Sequence, residues 1–255
     1  MKALITGASS GIGKDMAKYL ADLGVDLILV ARRKSILKEL KSELKTKVKI
    51  IPLDLSEMDN VELLYNEVKN EDIDILINNA GFGLFGEFFE TDLETEFKMI
   101  DVNIKAVHYL SKMFYRDMLS KNSGYILNVA SSAGFMAGPK LSTYYATKNY
   151  CLRLTEAMYQ EAKEVGSSVH ISVLCPGPVE TEFNKVAKGT FHTKSASSSY
   201  VAKYAIDQMF KGKLLIVPTL KMKVVLFLVR FVPTKLLLKI TSMIQDRKIS
   251  SKKSR

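Results

Sequence analysis

The sequence predicts an α/β chain built on a doubly wound, mostly parallel seven-stranded sheet with helices on both faces. Three observations carry this. Short β-branched runs alternate with longer helical patterns along the chain. Runs such as LILVA and IDILI show no polar alternation, as expected of strands covered on both faces. The repeated β-α-β order implies right-handed crossovers.

The strands are placed at Lys2–Thr6, Asp26–Ala31, Val48–Leu53, Ile73–Asn78, Gly124–Ala130, Val169–Leu174 and Lys213–Val217. Helical patterns fill Gly11–Leu23, Lys34–Leu44, Ser56–Val68, Asp92–Leu119 and Ser142–Val165. Ser56 and Thr91 are candidate N-caps, each with an acid three residues later. Thr190–Ser199 reads as a mobile surface loop. Residues 1–218 read as one domain, and residues 219–255 form a basic, amphipathic helical extension.

With 255 residues, the chain can bury a full core without disulfides or metals. Its two cysteines, Cys151 and Cys175, and three histidines, His108, His170 and His192, fall at no metal-ligand spacing, so no metal site is expected. The thiols read as core residues of a reducing, cytoplasmic compartment. The N-terminus enters a strand at once and does not read as a signal peptide. Charge is uneven. Residues 211–255 carry a net +11, and residues 1–210 a net −1, which argues against nucleic acid bound across the body.

The first strand runs into Thr6-Gly7-Ala8-Ser9-Ser10-Gly11-Ile12-Gly13, and a helix follows. Glycines clear space for a phosphate, and the helix N-terminus turns its N–H groups and positive dipole end toward the anion. This G-x-x-x-G-x-G spacing resembles the short-chain dehydrogenase/reductase family, and the resemblance continues along the chain. Asn78-Asn79-Ala80-Gly81 matches the family's NNAG, Asp54-Leu55 its adenine contact, and Pro176-Gly177-Pro178-Val179-Glu180-Thr181 its PGxxxT segment. The resemblance implies a Rossmann-type sheet, nicotinamide cofactor contacts from Ser9, Ser10, Ile12, Asn79, Ala80 and Gly81, and Val179 and Thr181 against the carboxamide. At the end of the second strand Ala31 replaces the family's usual Asp, and Arg32 and Arg33 follow. A guanidinium grips a 2′-phosphate that an acid would repel. The cofactor is therefore read as NADP(H), with Arg32 the main contact and Arg33 secondary.

Tyr144-Tyr145-Ala146-Thr147-Lys148 offers two tyrosines. Tyr144 lies four residues before Lys148, on the same helix face, and fits the family's YxxxK. Ser131 lies thirteen residues before Tyr144, at the family's serine position, with Ser132 the alternative, and Asn103 matches the family asparagine. The resemblance implies proton exchange by Tyr144, lowering of its pKa and ribose binding by Lys148, a hydrogen bond from Ser131 to the substrate oxygen, and a water relay at Asn103. The implied activity is hydride transfer between nicotinamide and a carbonyl or secondary alcohol. The competing class, a non-catalytic NADP-binding module, predicts decay in this set, and all four residues are present.

Gly81-Phe82-Gly83-Leu84-Phe85, Phe135, Met136, Phe183 and Phe191 suggest an apolar substrate. Cys175 is read as a packing residue near the cofactor. By resemblance the chain forms homo-oligomers through the two long helices. In the tail, Pro233 splits the helical pattern. Leu236, Leu237, Ile240, Met243 and Ile244 share one face, and Lys235, Lys239, Ser242 and Asp246 another. Two readings stay open: the stripe covers a core or subunit surface, or it lies peripherally in a membrane interface.

Overall fold

Seven strands with apolar runs at their centres form one parallel sheet in the computed structural model. The structure describes residues 1–183, 187 and 195–249, the last three by backbone alone. The strands are β1 (Lys2–Thr6), β2 (Asp26–Val30), β3 (Val48–Ile51), β4 (Ile75–Asn78), β5 (Tyr125–Val129), β6 (His170–Leu174) and β9 (Leu215–Ile216), in the spatial order β3-β2-β1-β4-β5-β6-β9. Every pair in this sheet is parallel. The order reverses at β1 and β4, so the loops leaving their carboxyl ends diverge and open a crevice there.

One buried cluster joins α1 (Gly11–Asp22), α2 (Lys34–Glu43) and α7 (Ser198–Phe210) to one face of the sheet. A second joins α3 (Met58–Val68), α5 (Val107–Lys121) and α6 (Ser142–Glu164) to the other. A polar network crosses that second layer. Asn78 Nδ2 donates to Asn128 Oδ1 (2.9 Å) and Ser111 Oγ (3.0 Å), and Asn128 Nδ2 donates to Thr155 Oγ1 (3.0 Å). All four residues are buried, so the network fixes α6 in register over β4 and β5.

Four sequence expectations need correction. The segment 92–119 is not one helix. It divides into α4 (Leu93–Ile100), a π-helical stretch at Asp101–Ala106, and α5. Apolar periodicity continues through the stretch, so the wider hydrogen-bond ladder leaves no mark on the pattern. Ser56 does not cap α3, because the Asp54 carboxylate takes its N–H (3.0 Å) and hydroxyl (2.9 Å) in a turn before the helix. Thr91 does not cap α4. Asp92 does, accepting from Thr95 N at 2.8 Å, while Thr91 bonds Glu96. Of the loop read at 190–199, residues 190–194 lie outside the described part. The rest is ordered: β8 (Ala196–Ser197) pairs with β7 (Val179–Glu180), Ser197 caps α7, and Ser198 bonds Asp15.

Beyond Pro218 come α8 (Leu220–Val229) and α9 (Thr234–Ile249), with Pro233 between them. Leu226 is buried in a third cluster with Ala130, Cys175 and Val217. On α9 the buried side is polar, carrying Thr241 and Gln245. The apolar stripe of Leu236, Ile240, Met243 and Ile244 faces away from the body.

Candidate active site

At the crevice above β1 and β4 the chain leaves a cleft of about 610 Å³. Its nucleotide end is shaped by backbone. Gly7 and Gly11 adopt φ of +67° and +53°, which L side chains rarely take. Gly13 is closely approached: a methyl group there would strike the Asn79 amide and lie 2.6 Å from the Gly7 carbonyl. Ser10, the N-cap of α1, makes no side-chain cap, so the first-turn N–H groups are left to a ligand. Thr6 stitches the two loops together. Its hydroxyl accepts from Asn79 N and Ala80 N, both at 3.0 Å, and Asn79 Nδ2 returns to the Thr6 carbonyl at 3.0 Å.

The sequence-nominated residues Gly7, Ser9, Ser10, Gly11, Ile12, Arg32, Arg33, Asp54, Leu55, Asn79, Ala80, Gly81, Pro176, Gly177, Val179 and Thr181 all line this cleft. Gly13 lies behind its wall, against Asn79. Arg33 donates to Ser9 Oγ (3.2 Å) and pairs with Glu182 (2.9 Å), while Arg32 reaches Asp54 at 3.8 Å with a largely exposed side chain. Such an exposed pair is weak, so the Arg32 guanidinium is readily recruited by a ligand.

Toward the other end stand Ser131, Tyr144 and Lys148. Ser131 follows β5 as N-cap of a 3₁₀ turn (Ser132–Phe135), where its hydroxyl accepts from Ala133 N at 3.1 Å. Tyr144 and Lys148 project from the first turns of α6. Lys148 is buried, and its ammonium donates to the Val129 carbonyl at 2.8 Å. It lies 5.8 Å from the centroid of the Tyr144 ring. Burial pushes the Tyr144 phenol well above the usual tyrosine value, opposed by its hydrogen bond with Ser131. Burial also holds the Lys148 ammonium below the usual lysine value.

Asn103 is fully buried on the π-helical stretch and does not line the cleft. Its amide donates to the Phe82 carbonyl (2.9 Å) and Thr147 Oγ1 (3.0 Å) and accepts from Phe82 N (3.1 Å). A methyl on Gly81 would lie 2.9 Å from Asn103 Oδ1 and 3.3 Å from Lys148 Nζ, so the two groups converge behind Gly81.

The family model for short chain dehydrogenases matches residues 1–190. The chain belongs to the short-chain dehydrogenase/reductase family. An NADP-dependent 3-hydroxy acid dehydrogenase of Schizosaccharomyces pombe is 37% identical over 191 residues, covering 72% of this chain and 73% of that protein. A short-chain dehydrogenase from Sphingobium yanoikuyae, solved with NADPH, superposes with a TM-score of 0.80 at 28% identity, over 86% of this chain and 88% of that one. A family member from Burkholderia phymatum, solved with NAD, also gives 0.80, at 25% identity over 88% and 91%. The chain is thus a nicotinamide-linked oxidoreductase acting on CH–OH and C=O groups.

At the substrate end of this dehydrogenase, Phe82, Leu141, Tyr145 and Phe183 line the cleft, and the Phe183 ring lies 5.2 Å from that of Tyr144. Phe135 and Met136 do not line it. They pack on the third cluster, where α8 supplies Leu226 and Met222. Phe191 lies outside the described residues. Cys175 is fully buried in that cluster, behind the Pro176 turn. Two residues that sequence reasoning passed over bear on this end. Spacing favours Tyr144 over Tyr145, yet the Tyr145 ring borders the cleft and its hydroxyl is held by Gln245 Nε2 at 2.6 Å. Gln245 lies a hundred residues away in sequence, and nothing local signals that contact.

Proposed function

We propose that this chain is an NADP(H)-dependent reductase of an apolar ketone or aldehyde, or the dehydrogenase of the matching secondary alcohol. The observation that carries the reading is the meeting of Ser131, Tyr144 and Lys148 in one cleft with a glycine-lined cradle at its far end. The cradle fits a dinucleotide: positive-φ glycines, an uncapped helix N-terminus and two arginines beside it suit a phosphate-bearing ligand. When bound, NADP(H) supplies the hydride.

The chain's own residues handle the proton and the orientation. Ser131 holds the substrate oxygen and Tyr144 donates a proton to it. Burial pushes the Tyr144 phenol above its usual value, opposite to the lowering expected from Lys148, so the phenol is protonated at neutral pH and needs nearby positive charge to give up that proton. Lys148 holds the nicotinamide ribose and brings positive charge to Tyr144. Asn103 holds the Phe82 segment and, behind Gly81, a water relayed to Lys148.

Arg32, with Arg33 second, is assigned to the 2′-phosphate. The NADP dependence of the fission-yeast relative supports NADP, as does the lack of an acid at Ala31. The aromatic lining from Phe82, Tyr145 and Phe183 supports an apolar substrate. We place the enzyme in the cytoplasm, which suits two buried free thiols, peripheral to a membrane through its tail. We assign it a homo-oligomeric state, supported by exposed Leu93 and Phe97 on α4 and testable by sedimentation. A panel of ketones, aldehydes and secondary alcohols, read by NADPH absorbance, tests the reaction. Turnover of hydrophobic ketones with NADPH well above NADH is expected, and a panel without turnover would overturn it.

A further inference from the structure

Helices α8 and α9 have two unlike sides. The inner side is tied to the substrate end of the cleft. Met222 fills the space a methyl on Gly177 would need, and Leu226 is buried. Gln245 holds Tyr145, and Asp246 pairs with Lys140. The outer side is apolar and open. Phe227 and Phe231, their rings 5.3 Å apart, are 58% and 71% exposed, and Leu228, Leu236 and Met243 are each more than half exposed. Folded chains seldom leave so many large apolar side chains of neighbouring helices in water without a partner for them. Cations stand among these side chains: Lys221, Arg230, Lys235 and Lys239 are all exposed. The single acid of α8 and α9 is Asp246, which is already ion-paired.

We propose that this outer face docks on an anionic phospholipid surface. Charge selects the occupant. A second copy seated by two-fold symmetry would bring the same basic face against itself, opposing like charges across an apolar contact. Nucleic acid would meet the cations but leave the phenylalanines and leucines in water. An anionic bilayer satisfies both, its headgroups taking the cations and its acyl boundary the apolar side chains. Lysine stems can lie along the apolar surface with their ammonium groups at the headgroups. No described helix is long and apolar enough to cross a membrane, so the contact is peripheral. A second exposed pair borders the same edge. Phe88 and Phe89 are 67% and 83% exposed and follow Glu87, which shares Lys140 with Asp246. Docked this way, the bilayer lies beside the substrate end of the cleft and away from the nucleotide end. The docking holds whether or not the proposed reaction is correct.

The test is co-sedimentation of the full chain with vesicles of phosphatidylcholine alone and of equal parts phosphatidylcholine and phosphatidylserine, at low and high salt. Two variants accompany it, Phe227→Ser/Phe231→Ser and Lys235→Glu/Lys239→Glu, each checked for an unchanged melting temperature and NADPH binding. The full chain should pellet with the anionic vesicles at low salt and be released at high salt. Each cation near such a surface contributes about fivefold in binding, so the lysine variant should bind about thirtyfold more weakly or less still. The phenylalanine variant should also lose binding. No pelleting of the full chain, equal pelleting with neutral vesicles, or unchanged binding by both variants would overturn the proposal. Sedimentation equilibrium supplies a further outcome: a dimer that Phe227→Ser/Phe231→Ser converts to monomer would assign the face to a second copy instead.

Discussion

The two ends of the cleft are held in different ways. At the nucleotide end, tightly approached backbone of the loops after β1 and β4 does the holding: Gly7 and Gly13 leave no room for a methyl group, and Thr6 and Asn79 lock the two loops together. At the substrate end, single side-chain contacts join distant parts of the chain, as between Tyr145 and Gln245 or between Lys140, Glu87 and Asp246. The first arrangement fails abruptly when disturbed, because backbone cannot step aside in a close-packed turn. The second yields by degrees, because each contact is one hydrogen bond or one partly solvated ion pair.

The largest effect should come between the two ends. Tyr144→Phe removes the proposed proton donor and should lower turnover by about a thousandfold or more, while NADPH affinity, read by fluorescence titration, stays within about threefold. Substantial residual activity would move the proton to another group. Next in size is Arg32→Asp, which exchanges a charged hydrogen bond for repulsion and should shift the NADPH/NADH ratio of kcat/KM by about a hundredfold toward NADH. A ratio near one in the unmodified enzyme would remove the basis of the NADP reading.

A matched pair then contrasts the ends directly. Gly13→Ala drives a methyl into the Asn79 amide, an overpacking of about 1–3 kcal/mol, and should weaken NADPH binding about tenfold or more. Gln245→Leu frees the Tyr145 hydroxyl at a cost of about 1 kcal/mol. It should raise the KM for ketone a few-fold and lower Tm by about 2–4 °C, leaving NADPH affinity unchanged. Equal effects of the two substitutions on NADPH affinity would erase the distinction between the ends.

The smallest effect is one of pH. Burial holds Lys148 below its usual value in the folded chain, whereas in the unfolded chain it titrates near 10.4. Between those two values the unfolded chain binds more protons, so stability rises with pH. Thermal melts of the unmodified chain and Lys148→Met should therefore show the unmodified chain gaining stability relative to the variant as pH rises toward about 10. A constant difference would mean that the ammonium pays no desolvation penalty in the fold.

The nucleotide end was legible in the sequence because each of its two loops carries its own short mark, although the contacts between them are long-range. Glycine spacing in residues 7–13 and the asparagines at 78 and 79 are direct marks of a tight backbone. The strand cores at Lys2–Thr6 and Asp26–Val30 were equally plain, since doubly covered strands read as unbroken apolar runs. Helix entries were less legible. Asp92 outcompetes Thr91 as a cap, and Asp54 takes Ser56 into a turn, choices set by one hydrogen bond each. The π-helical stretch around Asn103 was hidden, because a change of ladder leaves the apolar pattern intact. The tail shows where pattern misleads. Its apolar stripe is real, but the side that meets the body carries Thr241 and Gln245, and the Tyr145 hydroxyl that Gln245 holds lies in no sequence window around it.

The Thr6–Asn79 stitch has a consequence for how a ligand is received. The loops after β1 and β4 are bracketed by three hydrogen bonds that use only protein groups. A dinucleotide entering that bracket meets a seat already set, and little chain entropy is lost on its arrival. Affinity at this end is then governed by how well the ligand fits a fixed mould, and recognition there behaves as lock and key.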